Sequence, residues 1–371
     1  MIPYLPGDPV PMFICASSNN PNYHFHSNAG QYVVLTFFGS ANAPEGKRIL
    51  EATLAQRAYY DDQKCTFFGV SCDPSDLHEK RAVADLPGIR YFWDFEQTVS
   101  RGYGAIEEKD GQHIYTTCTL VLDPTLRVYA KIPYENEEQY ASRLKEALAS
   151  LPSVDDHAGA PIHAPVLIVP RVFEPELCKE LIAIYERHGG EESGFMKEIG
   201  GKTVGIVDPK FKKRRDVFVE DDALKKHIVG LLGRRLRPEI RRAFNFDVTH
   251  LERYIVACYD SESSGFFSRH RDNTTKGTAH RRFAVTINLN TEEFEGGDLR
   301  FPEFGSRTYR APTGGAVVFG CGLLHEALPV TKGKRYAFLP FLYDEAAAKI
   351  RQQNLGYLAD APDAMAKAGK A

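Results

Sequence analysis

Gly265-Phe-Phe-Ser-Arg-His270-Arg-Asp272-Asn and the later stretch Leu323-Leu-His325 contain the most informative residues of this sequence. His270 and Asp272 are two positions apart, so on a β-strand both side chains would point to the same face. We expect His325 to come from another strand. Two imidazoles and one carboxylate can hold Fe(II) on one face and leave its other positions open for substrates and O2. These three residues are therefore the predicted metal ligands.

Arg335 follows His325 by ten residues and adds a second element to the pattern. A His-x-Asp pair alone is more often part of a surface turn than of a metal site. A hairpin through Thr331–Lys334 would bring the Arg335 guanidinium back beside the metal, where it could bind a carboxylate through two parallel hydrogen bonds. The combination predicts a site for a dicarboxylate.

The residues around this pattern predict an all-β core. From Leu251 onward, short apolar runs such as Phe283–Leu289 are separated by Gly and Pro, which is typical of a sandwich or barrel. Helical spacing occurs before them, near Pro175–His188 and over about Asp222–Phe244. We therefore expect a β core with supporting helices.

Residues 165–345 resemble the prolyl 4-hydroxylase-like branch of the Fe(II)/2-oxoglutarate dioxygenases. The similarity runs through several ordered motifs: Val256–Tyr259, His270–Asp272, Glu295–Phe301, Pro312–Phe319, and the pair His325 and Arg335. The resemblance implies a C-terminal double-stranded β-helix, or jelly roll, with Fe(II) on His270, Asp272 and His325. It further implies that Arg335 binds the distal carboxylate of 2-oxoglutarate and that Tyr259 donates a hydrogen bond to this cosubstrate.

The same resemblance implies an enzyme that uses 2-oxoglutarate and O2 as cosubstrates. It would release succinate and CO2 and hydroxylate a C–H bond, with ascorbate as a further expected cofactor. A prolyl or other residue of a peptide or protein is the favoured substrate. A free amino acid or another small metabolite would fit the same residues, and so would a slow-turnover binding protein that responds to O2 or 2-oxoglutarate.

The first part of the chain predicts an α/β domain. Tyr32–Phe38 and Cys65–Ser71 are continuous apolar runs, and the helix-like stretch Glu45–Tyr60 lies between them. Strands of this kind are typical of a parallel sheet that is covered on both faces. Asn136–Leu151 reads as an amphipathic helix with Asn136 as its N-cap.

This domain resembles a peroxiredoxin of the thioredoxin fold. The motifs that carry the resemblance are Gly7–Phe13, Val33–Phe38, Phe68–Pro74, Tyr103–Ala105 and Leu120–Pro124. In the family, the peroxidatic cysteine follows a proline in the turn before the first long helix. That turn reads Ala43-Pro44-Glu45-Gly46 here, so Gly46 takes the place of the nucleophile, and Thr117 stands near the place of the family's arginine.

A glycine cannot supply the thiolate that reduces peroxide, so we expect the domain to lack thiol peroxidase activity. Cys72 or Cys65 could serve only as substitutes. Three roles stay open for the domain: docking a substrate, pairing two subunits as a homodimer, or shielding the oxygenase.

Length and composition agree with two domains. The chain has 371 residues, at about 100–200 residues per domain. We place a thioredoxin-like domain at 1–151, a linker at 152–164, the dioxygenase domain at 165–346 and a tail at 347–371. A basic stretch, Lys210–Arg215, precedes a second one at Arg234–Arg242, and we interpret both as solvated helix faces, with contact to an acidic peptide or nucleic acid as the alternative.

The charge and the cysteines bear on partners and location. The net charge is -3, too close to neutral for a general nucleic-acid or membrane-surface binder. Seven cysteines are widely spread and odd in number, which favours reduced thiols over a disulfide framework. With no apolar run long enough for a membrane span and no signal-peptide pattern, we predict a cytoplasmic protein.

Overall fold

The computed structural model of the protein describes residues 2–109 and 111–359. The chain divides into two compact units. The first unit comprises Met1–His163 and Pro302–Ser306, and the second comprises Ala164–Phe301 and Arg307–Ala371. The last part of the predicted tail, 360–371, lies outside the described residues.

The described elements of the first unit alternate strands and helices. In chain order they are β1 (Ile14–Ser17), β2 (Asn20–His24), β3 (Tyr32–Gly39), α1 (Pro44–Leu54), β4 (Cys65–Ser71), α2 (Pro74–His78), β5 (Ile89–Trp93), α3 (Thr98–Gly102), β6 (Ile106–Lys109), β7 (Gln112–Tyr115), β8 (Cys118–Leu122), β9 (Val128–Pro133) and α4 (Glu137–Ala149).

The main sheet of this unit has the strand order β2-β1-β5-β4-β3-β8-β9. The central strands β3, β4 and β5 are parallel, whereas β8 and β9 pair antiparallel to their neighbours. Every residue of β3 and β4 is buried, as expected for strands with both faces covered. The predicted α/β domain with parallel central strands is confirmed.

The helix predicted over Glu45–Tyr60 is shorter than expected. It ends as α1 at Leu54, and the chain turns so that the buried Tyr60 can donate its hydroxyl to the backbone oxygen of Thr53 at 3.1 Å. Residues Ile49 and Leu50 of α1 pack in one core cluster with Tyr140, Leu144 and Leu148 of α4. The amphipathic helix expected at the end of this unit is therefore present, with Asn136 capping it as predicted.

The second unit consists mainly of short strands. Its described elements are β10 (Val166–Val169), α5 (Pro175–His188), β11 (Glu191–Glu192), β12 (Phe195–Ile199), β13 (Lys202–Ile206), β14 (Lys212–Lys213), β15 (Arg215–Phe218), α6 (Asp222–Arg235), α7 (Arg237–Phe244), β16 (His250–Glu252), β17 (Ile255–Asp260), β18 (Phe266–His270), β19 (Phe283–Asn288), β20 (Glu295–Gly296), β21 (Leu299–Arg300), β22 (Thr308–Tyr309), β23 (Ala316–Gly320), β24 (His325–Ala327), β25 (Val330–Lys332), β26 (Lys334–Phe338), β27 (Phe341–Tyr343) and α8 (Glu345–Asn354).

Two antiparallel sheets organise this unit. The larger sheet has the order β10-β23-β19-β26-β17-β15-β11, and β16 and β27 also belong to it; the smaller sheet has the order β14-β18-β24-β21-β22. Helices α5 and α6 contribute Leu181 and Ile228 to a core shared with Val256, Val285 and Phe338 of the larger sheet. The expected β core with helices packed on it is confirmed.

Two sequence expectations differ in detail. The helix predicted over about Asp222–Phe244 is two helices, because Pro238 in the first turn of α7 lacks the amide hydrogen that a continuous helix needs. The predicted tail begins as the helix α8, whose first turn is capped by the Asp344 carboxylate. Among the described residues, no helix is both long and apolar enough to cross a membrane.

Candidate metal centre

The three predicted metal ligands lie together in the second unit. His270 ends β18 and His325 begins β24, and the two are direct partners in this antiparallel pair. The Asp272 carboxylate lies between the rings, with Oδ1 3.6 Å from His270 Nε2 and Oδ2 3.4 Å from His325 Nε2. One ligand atom from each residue lies within 4.8 Å of the others, as expected for groups that can each approach one ion to about 2 Å.

The strand argument for Asp272 is wrong in detail. β18 ends at His270, and Asp272 lies in the turn that follows. Its backbone N–H donates to the carbonyl of Cys321 at 3.0 Å. The turn, rather than the alternation of a strand, brings the carboxylate to the two imidazoles.

Both imidazoles are oriented by hydrogen bonds to the backbone. His270 Nδ1 lies 2.7 Å from the Ser268 carbonyl oxygen, and His325 Nδ1 lies 3.0 Å from that of Leu323. A ring nitrogen that faces a carbonyl must carry the proton, which leaves the Nε2 lone pair for a metal. Burial, reinforced by the charge of His270, lowers the pKa of His325 to about 4, so this ring is neutral near pH 7.

The carboxylate is held in its ionised form. Burial alone would raise the pKa of Asp272, but the neighbouring His325, His270 and Arg281 outweigh it and the pKa lies below the ordinary value. A charged carboxylate and two imidazoles whose Nε2 atoms face it form a donor set that fits a divalent ion such as Fe(II). The residues present therefore fit the metal that the sequence implies.

A buried ion pair lies behind the turn of Asp272. Arg281 Nη1 is 3.4 Å from the Asp272 backbone oxygen, and its Nη2 donates to Glu252 at 2.6 Å. His280 Nε2 approaches the other oxygen of Glu252, also at 2.6 Å. The sequence did not predict this group, because Glu252 is separated from His280 and Arg281 by 28 and 29 residues and only the fold brings them together.

Arg335 is a buried guanidinium for which no described residue supplies a carboxylate partner. It is 3% exposed. Its Nε and Nη2 are each 3.4 Å from Asn288 Oδ1, and its Nη1 has no hydrogen-bond partner. A buried charge without a counterion is costly. The surroundings of Arg335 therefore fit an anionic ligand, and Asn288 is a neighbour that the sequence did not reveal.

The hairpin predicted through Thr331–Lys334 is wrong. β25 pairs with β20, whereas β26 pairs with β17 and β19, so the turn at Gly333 joins strands of different sheets. Gly333 has a φ of +72°, and a Cβ there would lie 2.4 Å from the Glu293 carbonyl oxygen. Arg335 is thus positioned by its pairing with β17.

Tyr259 is the direct partner of Arg335 in the pair of β17 and β26. Its ring centre lies 5.1 Å from the guanidinium carbon of Arg335, and its hydroxyl oxygen lies 3.4 Å from Arg214 Nη1. Arg214 is itself fixed by Asp216, whose two oxygens it contacts at 2.7 and 2.6 Å. The structure therefore brings both predicted cosubstrate residues together.

The interpretation of Lys210–Arg215 as a solvated helix face is wrong. This stretch contains β14 and the start of β15. Lys212 and Arg214 are 5% and 8% exposed, whereas Lys213 is exposed. Side chains of an extended chain alternate between two faces, so a core on one face buries every second residue. The two-residue spacing of Lys212 and Arg214 was the one sequence signal that could have predicted their burial.

In the first unit, Gly46 lies in the first turn of α1, at the position that the resemblance assigns to the peroxidatic cysteine. A Cβ at this position would lie 2.1 Å from the Ser40 carbonyl oxygen and 2.4 Å from that of Phe38. The hydroxyl of Thr117 donates to the Glu45 carboxylate beside this turn. The backbone around Gly46 thus leaves no room for a side chain.

The substitute thiols are held in their protonated forms. Burial raises the pKa of Cys72 to about 11 and that of Cys65 to about 12. The Cys72 sulfur also lies 3.2 Å from Ser100 Oγ. A thiol with so high a pKa is a weak nucleophile near pH 7.

Two family matches cover different parts of the chain. Residues 254–343 match the 2OG-Fe(II) oxygenase superfamily, and residues 6–131 match the AhpC/TSA family. The first range includes all five predicted site residues, and the second includes Gly46. Both resemblances predicted from the sequence are confirmed.

Curated relatives agree with the first match, and a solved structure is similar to part of the chain. A PKHD-type hydroxylase of Cupriavidus metallidurans is 34% identical over 180 residues, which are 46% of this chain and 74% of that protein. A procollagen lysyl hydroxylase and glycosyltransferase of Acanthamoeba polyphaga mimivirus is 25% identical over 252 residues, or 65% of this chain. A Pseudomonas putida prolyl-4-hydroxylase structure is 19% identical, covers 53% of this chain and 98% of its own, and has a TM-score of 0.38.

The chain spans only part of several of these relatives. It covers 26% of the viral protein and 39% of each of two Synechococcus PKHD-type hydroxylases.

Proposed function

This chain belongs to the 2OG-Fe(II) oxygenase superfamily, and on that premise we propose that it is an Fe(II)- and 2-oxoglutarate-dependent hydroxylase. Its substrate would be a prolyl or other residue of a peptide or protein. The observation that carries the proposal is a partly buried His-Asp-His triad in the same unit as a buried arginine for which the described residues supply no counterion.

The triad residues His270, Asp272 and His325 would hold the metal. When bound, Fe(II) supplies the activation of O2 that oxidation of 2-oxoglutarate and of a substrate C–H bond requires. The overall reaction converts 2-oxoglutarate, O2 and a C–H group into succinate, CO2 and a C–OH group. One oxygen atom enters succinate and the other enters the substrate, so the atoms balance.

Arg335 and Tyr259 would bind and orient the cosubstrate. The free Nη1 of Arg335 and its weakly engaged Nη2 can donate two parallel hydrogen bonds to the distal carboxylate of 2-oxoglutarate. The phenolic oxygen of Tyr259 accepts from Arg214. Its single proton is therefore available to the cosubstrate.

Aromatic side chains would keep water away from the reacting groups. The ring of Phe267 stacks on His270 with centres 3.5 Å apart, and Phe319 packs against His325 at 4.6 Å. Removing water strengthens the electrostatic interactions inside such a site. The Asp272 carboxylate lies between the two imidazoles and would serve as a ligand, not as a general base.

The proposal also includes expectations about the fold, the reductant, the location and the assembly of the protein. We expect the two antiparallel sheets of the second unit to form a double-stranded β-helix, and ascorbate to maintain iron in its reduced form. A cytoplasmic location and a homodimer through the first unit also remain proposals. The substituted turn at Gly46 and the protonated thiols support a first unit without peroxidase activity.

The proposal can be tested by following succinate. Protein loaded with Fe(II) without oxygen is given 2-oxoglutarate and O2, with and without cell extract, and succinate is measured. We expect turnover that extract stimulates, with one oxygen atom added to a protein or peptide. An oxygen atom gained by a metabolite would instead identify the small-molecule hydroxylase, and iron binding without stimulated turnover would indicate the binding protein.

A matched pair of variants controls this experiment. His270→Ala removes a ligand, whereas His227→Ala removes an exposed histidine of α6. Succinate formation that survives in the first variant at the level of the second would overturn the proposed function.

A further inference from the structure

A buried lysine in the second unit has no ion-pair partner among the described residues. Lys212 Nζ donates to Ser193 Oγ at 2.7 Å and to the Gly194 carbonyl oxygen at 2.6 Å. No described carboxylate lies within ion-pair distance of it. A buried ammonium that meets only neutral acceptors is costly, so this residue needs an explanation beyond stability.

Lys212 lies next to the proposed metal centre. Its strand β14 pairs with β18, where Phe267 is its direct partner. The Lys212 ammonium lies 4.7 Å from the centre of the Phe267 ring. That ring in turn stacks on His270 at 3.5 Å. The uncompensated charge is therefore separated from a metal ligand by one aromatic ring.

Asp216 belongs to the hydrogen-bond network of Lys212, but other side chains already bind its carboxylate. Asp216 is bound through both of its oxygens by Arg214, and Ser193 Oγ donates to its Oδ2 at 2.5 Å. Arg214 thus matches the charge of Asp216, and Lys212 is linked to this carboxylate only through Ser193 Oγ. Burial, followed by the charge of Arg214, lowers the pKa of Lys212 well below its usual value.

Arg253 is a second basic side chain that has no ion-pair partner among the described residues. Its buried Nε has no hydrogen-bond partner, and its guanidinium carbon lies 4.2 Å from the Phe341 ring. Arg281 lies over the same ring at 4.0 Å, and Glu252 is engaged by Arg281 and His280. Burial, together with the charges of Arg281 and Arg214, lowers the pKa of Arg253 to about 10.

The proposed cofactor and cosubstrate do not neutralise these charges. In formal charge, a divalent ion, the Asp272 carboxylate, the 2-oxoglutarate dianion and the Arg335 guanidinium cancel one another. Arg214 is matched by Asp216 and Arg281 by Glu252. Lys212 and Arg253 have no matching carboxylate among the described residues, so an anion that enters beside Lys212 would favour its ammonium form.

From this charge balance we propose that the hydroxylated substrate carries a carboxylate and that Lys212 binds it, with Arg253 adding positive potential. The inference rests on the proposed function and names the substrate class of that site. One ammonium beside a hydroxyl group suits a single carboxylate, which either a free amino acid or an acidic residue of a peptide can supply. Lys212 is thus a specificity-determining residue, distinct from Arg335.

The test compares Lys212→Met with Lys213→Met. Both variants remove one lysine of β14, but Lys213 is exposed. Two probe pairs differ only in charge: L-proline against L-prolinamide, and a blocked Ala-Pro-Glu-Ala peptide against its Gln counterpart. Two quantities are measured in the full chain with Fe(II) and 2-oxoglutarate: succinate formed above the probe-free rate, and the rate at which acetic anhydride modifies Lys212, read by mass spectrometry.

We expect the acid member of one pair to stimulate succinate formation at least tenfold more than its amide and to slow acetylation of Lys212. The pair that responds identifies the source of the carboxylate. Lys212→Met should abolish the preference while the probe-free rate and the KM for 2-oxoglutarate stay within twofold. Lys213→Met should behave as the wild type.

Equal effects of the acid and amide members on both readouts would overturn the inference, and so would a Lys212→Met variant whose main defect is a raised KM for 2-oxoglutarate. Because methionine suits a buried position, the variant should keep the wild-type melting temperature or exceed it. A wild type that forms no succinate either without probes or with cell extract would refute the proposed function instead. Protection of Lys212 by an acid probe would still support the inference in that case.

Discussion

Tyr259 and Arg335 face each other directly across β17 and β26, with the guanidinium carbon 5.1 Å from the centre of the tyrosine ring. The two are far apart in sequence, yet the strand register fixes their side chains on one face. The phenol is engaged by Arg214 on one side, and the guanidinium has a free Nη1 on the other. This arrangement leaves donors from both residues for one anionic ligand.

Replacing Arg335 should weaken binding of 2-oxoglutarate. Arg335→Gln removes the charge from a buried site, and losing one partner of a buried charge pair costs about 2–5 kcal/mol. We therefore expect the KM for 2-oxoglutarate to rise by about 30-fold or more, measured as succinate formed over a range of concentrations. Arg234→Gln, on an exposed face of α6, should leave this KM unchanged. An unaltered KM in Arg335→Gln would place the cosubstrate elsewhere.

Removing the Tyr259 hydroxyl should have a smaller effect of the same kind. Tyr259→Phe deletes one hydrogen bond to the cosubstrate, worth about 0.5–1.5 kcal/mol, so the KM for 2-oxoglutarate should rise about two- to tenfold. The exposed Tyr357 provides the control Tyr357→Phe. A larger loss in Tyr259→Phe than in Arg335→Gln would contradict these assigned roles.

Restoring a cysteine at position 46 should not restore a peroxidase. Gly46→Cys places a Cβ against the carbonyl oxygens of Ser40 and Phe38, and overpacking of this kind costs about 1–3 kcal/mol. We expect a lower melting temperature and no added peroxide consumption. Gly102→Ala is the control, since nothing lies within 4 Å of a Cβ at that position. Rapid peroxide consumption by Gly46→Cys would show that the turn can still form the active site.

The existing thiols should react slowly at neutral pH. The pKa is about 11 for Cys72 and about 12 for Cys65. As long as the pH is below the pKa, the thiolate fraction increases about tenfold for each unit by which the pH rises. Alkylation by iodoacetamide, followed by mass spectrometry, should therefore accelerate steadily from pH 7 to pH 10. Modification of Cys72 that is already fast at pH 7 would instead support peroxide reduction by this thiol.

The ion pair behind Asp272 should contribute to stability in a pH-dependent way. Burial alone would raise the pKa of Glu252, but Arg281 and His280 hold it well below its ordinary value. A carboxylate with a depressed folded-state pKa stabilises the fold above its unfolded value of about 4.3. That contribution is lost as the pH falls below this value.

Glu252→Gln should therefore lower the free energy of unfolding at pH 7, by about 3–5 kcal/mol, because the buried Arg281 loses its counterion. Denaturant unfolding of the wild type and the variant at pH 7 and pH 4 measures the effect. The difference between them should shrink at the lower pH. A difference that is the same at both pH values would exclude a role for the carboxylate charge.

The sequence predicted the residues that share a local motif or a family pattern. These residues include His270, Asp272, His325, Arg335 and Tyr259, and the structure brings the first three together and pairs the last two. The roles of these residues remain predictions. The predictions that were wrong concern local geometry, such as the position of Asp272, which lies in a turn and not on a strand.

Contacts between distant strands could not be predicted in the same way. Asn288 beside Arg335, and Glu252 beside Arg281, meet only because the sheets bring their strands together. The sequence did not predict the burial of Lys212, because its neighbours Lys210, Lys213 and Arg215 have the composition of a solvated surface. Burial in an extended segment depends on which face meets the core, which charge patterning alone does not show.

Binding of Fe(II) by wild-type protein and by Asp272→Ala tests the central claim most directly. Iron is measured after anaerobic dialysis against Fe(II) and 2-oxoglutarate, with Glu198→Ala as an exposed control, and the retained protein is then given O2. The account predicts one Fe(II) per chain and succinate formation in the wild type and the control, with both lost in Asp272→Ala. Equal iron and equal succinate in all three proteins would contradict it.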